Sequence, residues 1–152
     1  MSEQPLRVLL ALDDPSQREL LAKYLRNECG YVVDEVATSN ELRARIDGAQ
    51  GQYDVVVLDD RLRSALDQDL EPIGIALVAE IKARYSATEC ILLASEGSHS
   101  GTEALRAGAY SCIHRPVDRE ELAVLRDQDC AGDCERDARR GYLRDSSSPG
   151  IL

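Results

Sequence analysis

Short, nearly unbroken aliphatic runs recur along this chain: RVLLAL (Arg7 to Leu12), YVVDEVA, YDVVVLDD, CILLA and YSCIH. Each is too short for a buried helix and too apolar for a strand with one wet face, so each reads as a strand covered on both sides. Strands of that kind pair in parallel, because the crossover between two of them is a helix laid on a face of the sheet. The intervening segments supply the helices. PSQRELLAKYLRNECG sets Leu20, Leu21, Tyr24 and Leu25 at helical spacing, with Pro15 suited to a first turn and Gly30 to a C-terminal cap. Thr38 to Glu41 has the form of a capping box opening a helix with Leu42 and Ile46. GIALVAEIKARY, GTEALRAGA and DREELAVLRD complete the series. The expected fold is α/β, a five-stranded parallel sheet doubly wound as (βα)5.

Composition narrows what such a domain does. Phe and Trp are absent and 43% of residues are hydrophobic, so the core must be aliphatic. A formal charge of −10 argues against direct binding of nucleic acid or of an anionic membrane. No apolar run nears the ~18 residues needed to cross a bilayer. The five cysteines are odd in number, Cys90 and Cys112 lie inside strand-like runs, and Met1 to Arg7 is too polar for a signal peptide. These features predict a reduced, cytoplasmic protein. Residues 1–5 read as an N-terminal tail and 6–127 as the domain. Residues 128–152, charged and ending in Ser, Pro and Gly, read as a helix extension or a flexible tail or linker. Cys130 and Cys134 stand at helical spacing there, without a second ligand pair to make a metal site.

Right-handed crossovers place every strand's carboxyl end on one edge, where open α/β sheets carry their sites. Asp13 and Asp14 end the first strand and Asp59 and Asp60 end the third, so carboxylates converge from separate strands. Two like charges ~4 Å apart repel by about 4 kcal/mol at an effective dielectric near 20. Such a cluster therefore holds a proton or a cation. Oxygen-only donors with water access suit Mg²⁺. A divalent ion beside a carboxylate is equipment for phosphoryl transfer, with the carboxylate attacking phosphorus. Helix capping beside Pro15 would account for Asp14 but not for both members of the pair.

The stretches VLLALDDPSQRELL, YDVVVLDDRL, GIALVAEIKARY and RAGAYSCIHRPVDREEL resemble, in order, the receiver domain of two-component response regulators, over roughly Leu6 to Asp127. The resemblance implies a flavodoxin-like receiver fold and a signalling module rather than an enzyme, beyond its own phosphorylation and dephosphorylation. It matches Asp13 and Asp14 to the acidic pair that holds Mg²⁺ (or Mn²⁺) and Asp59 to the aspartate phosphorylated by a histidine kinase or phosphotransfer protein. It matches Arg61 to the residue whose backbone carbonyl joins the metal, and Tyr110 to the switch residue. The partners implied are that kinase, a downstream effector protein or domain and, through helices four and five, a second copy of the chain.

Three departures from the family pattern stand out. Ala94 occupies the position of the usual Thr or Ser, with Ser95 beside it as a substitute hydroxyl. Arg115 occupies the position of the usual lysine; it keeps the charge but grips phosphate as a planar fork. RLRSALDQDLEPIG, between Asp59 and the third helix, is about seven residues longer than usual and reads as a surface loop able to cap the site or bind a partner. The intact acids favour a working receiver. The changes at Ala94 and Arg115 favour the alternative, a degenerate receiver that binds partners without phosphorylation.

Overall fold

The computed structural model describes residues 5–95 and 101–115. The anticipated last helix (118–127) and the segment 128–152 with Cys130 and Cys134 lie outside the described residues. In chain order the elements are β1 (Arg7–Ala11), α1 (Pro15–Asn27), β2 (Val32–Val36), α2 (Ser39–Gly48), β3 (Val55–Asp59), β4 (Leu62–Arg63), β5 (Leu70–Glu71), α3 (Gly74–Arg84), β6 (Glu89–Ala94), α4 (Gly101–Ala107) and β7 (Ser111–His114).

Five strands form one parallel sheet in the order β2-β1-β3-β6-β7. Alternate residues of each strand feed opposite faces, as strand geometry requires. Leu9 and Ala11 of β1, with Val56 and Leu58 of β3, meet Leu42 and Ile46 of α2 and Leu77, Val78 and Ile81 of α3. Val8, Leu10, Val55 and Val57 turn the other way onto Leu21, Ala22 and Leu25 of α1. The central strands are thus covered on both sides, which is why their sequence runs without polar interruption. β1 and β3 are neighbours whose chain connections leave in opposite directions, so a crevice opens between their carboxyl ends.

The helix ends follow local chemistry. Asp14 caps α1, its Oδ1 accepting from the Ser16 amide at 3.0 Å. Thr38 Oγ1 accepts from the Glu41 amide at 3.2 Å, while Glu41 Oε1 accepts from the Ala37 amide at 2.8 Å, a capping box displaced by one residue. Gly30 takes φ +74°, the left-handed conformation that follows α1.

Three expectations change. Leu20 is 56% exposed, and Ala22 takes the buried place on α1. The last strand begins at Ser111, so Tyr110 precedes it. The insertion after β3 is not a bare loop: Leu62–Arg63 and Leu70–Glu71 pair as an antiparallel hairpin. Leu62 is fully buried in the α2–α3 face, and the Asn40 amide donates to the Ser64 carbonyl at 3.2 Å. The hairpin is therefore fastened at its start, while Leu66 in its turn is 76% exposed.

Candidate functional site at the carboxyl edge of the sheet

An open cleft of ≈ 400 Å³ sits over the ends of β1, β3 and β6, lined by Asp13, Asp14, Gln17, Asp59, Asp60, Arg61, Leu70, Ser95 and Arg115. The acids that the crossover argument set on one edge line it, and so do Arg61, Ser95 and Arg115, which the resemblance implied; Tyr110 does not. That residue precedes β7, at the opposite end from Arg115, and packs against the apolar layer shared with α1.

Asp59 is the centre of the arrangement. It is the last residue of β3 and only 5% exposed. Its Oδ2 accepts from the Asp13 amide at 2.9 Å, tying the end of β1 to the end of β3. Its Oδ1 pairs with the Arg115 guanidinium. Arg115 also donates to the Leu93 carbonyl at 3.2 Å and to Gln17 Oε1 at 3.1 Å, so backbone and α1 fix its direction. Burial lowers the Arg115 pKa and the nearby Asp14 charge opposes that shift. A guanidinium remains charged at any working pH, so Asp59 faces a permanent cation.

The neighbouring acids have separate tasks. Asp14 is exposed and caps α1, as the capping argument allowed. Asp13 is half-buried and its Oδ1 receives Arg63 Nε of the hairpin at 2.9 Å. The same guanidinium donates to the Gln68 carbonyl at 2.7 Å. Asp60 accepts from both the Ser95 amide (3.0 Å) and the Ser95 hydroxyl (3.1 Å). Ala94 ends β6 fully buried, next to Ser95. Arg61 is exposed at the rim.

Arg63 and the Asp60–Ser95 contact were missed from sequence. The first joins residues 50 apart and the second residues 35 apart, and no local spacing signals either.

The donor chemistry fits a hard divalent cation. Asp13 and Asp59 are linked through the Asp13 amide, they share a wet cleft, and all available donors are oxygens. Among the described residues no three His, Cys, Asp or Glu side chains stand close enough to cage a metal. Mg²⁺ does not demand a cage: one or two carboxylates and several waters suffice. Asp13 and Asp59 would hold it, with Asp14 and the Arg61 carbonyl at the rim. Arg63 and Arg115 now neutralise the two inner carboxylates.

A family model described as the response regulator receiver domain matches residues 8–125. Among curated proteins, an NtrX-like response regulator of Rickettsia conorii is 28% identical over 82% of this chain and 25% of its own length. The transcriptional regulatory protein GlrR of Escherichia coli K12 is 30% identical over 80% of this chain and 26% of its own. The chain therefore spans about a quarter of the curated relatives it matches. Among solved structures, the chemotaxis response regulator CheY4 of Vibrio cholerae superposes with a TM-score of 0.65 at 22% identity, covering 83% of this chain and 99% of that one. No helix among the described residues is long and apolar enough to cross a membrane.

Proposed function

The chain belongs to the response regulator receiver family of two-component signalling, and from that premise we propose that it accepts a phosphoryl group on Asp59. The donor is a histidine kinase or phosphotransfer protein in the cytoplasm. The acyl phosphate then alters a surface read by a downstream effector protein or domain.

The Asp59–Arg115 pair carries this reading. A nearly buried carboxylate at a strand end, oriented by a backbone amide and faced by an immobilised guanidinium, is an acceptor with its counter-charge in place. An Asp59 oxygen bonds to phosphorus as the P–N bond of the donor phosphohistidine breaks. The bonding electrons stay with the imidazole nitrogen, which takes up a proton. Arg115 is within reach of the arriving phosphoryl oxygens, and its planar fork suits two of them. Gln17 and the Leu93 carbonyl keep that fork from swinging out of the cleft. Asp13 and Asp59 would hold Mg²⁺ or Mn²⁺, which when bound would supply charge neutralisation to the transferring group. The chain turns over nothing but its own phosphoryl group. Tyr110, at the other end of β7 from Arg115, is the proposed relay to the output face.

One observation favours a second reading, a receiver that binds partners without phosphorylation. The hydroxyl nearest the cleft, that of Ser95, is spent on Asp60, and Ala94 offers none. The two readings separate in one experiment: intact-mass spectrometry after acetyl phosphate and Mg²⁺, alongside Asp59→Asn. Phosphorylation predicts a phosphoryl adduct on the parent and none on the variant. Absence of an adduct on a parent that binds Mg²⁺ supports the second reading.

A further inference from the structure

The hairpin inserted after β3 brings a cation to Asp13, the acid to which the reading above assigns the metal. Its residue Arg63 is held at two points. Nε lies 2.9 Å from Asp13 Oδ1, and a terminal nitrogen donates at 2.7 Å to the Gln68 carbonyl across the hairpin. The backbone at Arg63 also bridges to Thr38, the cap of α2. The guanidinium is therefore aimed at Asp13 by the hairpin's own fold. Leu70, from the second strand of the hairpin, lines the cleft beside it.

We propose that Arg63 is a tethered cation that competes with the divalent metal for Asp13, so that the hairpin governs how tightly the site takes metal. The inference rests on the phosphoryl-acceptor reading, because it assumes that Asp13 is a ligand. A guanidinium and Mg²⁺ draw on the same carboxylate charge and repel each other at this range, and Arg63 Nε already occupies Oδ1. Arg63 where it stands therefore opposes metal entry, and the hairpin is built to let it move. Its strands are two residues long, both residues of β5 are exposed, and only Leu62 is buried. The Arg63–Asp13 pair is itself a partly exposed one, with side chains 33% and 26% accessible, so it yields to a divalent ion without large cost. Metal loading and closure of the hairpin then weaken each other, and a partner that grips the exposed Leu66 turn would shift the balance between them.

The test is metal affinity, measured on the full chain by Mg²⁺ calorimetry and by Mn²⁺ electron paramagnetic resonance, for the parent, Arg63→Gln and Arg63→Lys. The expected result is that Arg63→Gln binds about tenfold more tightly, equivalent to ~1.4 kcal/mol, while Arg63→Lys, which keeps the charge, stays near the parent. In the parent, amides of residues 62–71 should lose hydrogen-exchange protection as metal saturates. Equal or weaker binding by Arg63→Gln overturns the proposal. If binding is measurable and equal while the phosphoryl adduct still forms, only the proposal fails. If neither protein binds metal, the metal part of the functional reading fails with it.

Discussion

Gly74 begins α3 directly against the strand end that carries Asp59, the proposed acceptor. A Cβ at this position would lie 2.4 Å from the Asp59 carbonyl oxygen and 2.6 Å from the Asp60 Cα. Both are backbone atoms, so no side chain can rotate away, and the Gly74 amide is pinned to the Asp60 carbonyl at 3.0 Å. Overpacking of this kind costs about 1–3 kcal/mol, and contact with backbone puts Gly74→Ala near ~3. The helix gains back at most ~1 kcal/mol from alanine, less at its first residue. A net loss of about 2 kcal/mol should lower the melting temperature of a domain this size by roughly 4–8 °C. Gly48, the last residue of α2, is the control, because a Cβ there meets nothing within 4 Å. Gly48→Ala should raise stability by about 0.4–1 kcal/mol. Urea denaturation and thermal melts of the two variants give the comparison, and acetyl phosphate labelling of Gly74→Ala should also drop, since the displaced backbone is that of Asp59. A Gly74→Ala protein as stable as its parent would refute the packing argument.

Two other outcomes follow from the structure. Arg115→Ala leaves the Asp59 carboxylate, 5% exposed, with the Asp13 amide as its one remaining partner among the described residues, and should cost about 2–3 kcal/mol in urea denaturation. Asp59→Asn in the same chain should recover most of that loss, and strictly additive effects would mean the pair does not interact. At alkaline pH, burial holds the Cys90 thiol up to about 12 and the Cys112 thiol up to about 11, against about 8.5 in an unfolded chain. Raised groups stabilise fully below the unfolded value and lose that contribution as pH climbs toward the folded one, so the urea midpoint should fall from about pH 8.5 upward. Tyr53, raised chiefly by burial, acts in the same direction. Peptide-mapped alkylation of the native protein should spare both thiols, and rapid labelling of either would contradict their burial.

The sheet was legible because each central strand is buried on both faces, and only a run such as Val55 to Leu58 meets that demand. Convergence of Asp13, Asp14, Asp59 and Asp60 followed from handedness alone, whereas Arg115 was placed only by the family resemblance. What escaped were contacts made by residues with no periodic signal. Arg63 lies in a hairpin whose strands are two residues each and whose turn carries no Asn-Gly or Asp-Gly pair, so nothing local announces the pairing. Ser95 was offered as a substitute hydroxyl beside Asp59, but Asp60, one residue on, takes both its amide and its hydroxyl. Leu20 misled because α1 has a narrow buried stripe that the small side chain of Ala22 already fills.

The bond from the Asp13 amide to Asp59 also bears on biosynthesis. It crosses 46 residues, and β1 needs β2 on one edge and β3 on the other. As the chain leaves the ribosome, β1, α1, β2 and α2 emerge first, and β1 then presents an open hydrogen-bonding edge until Val55 to Asp59 arrive. The acidic pair gains its counterpart at the same moment that this edge closes. A chain cut short before residue 55 thus lacks both a finished sheet and the carboxylate proposed as acceptor.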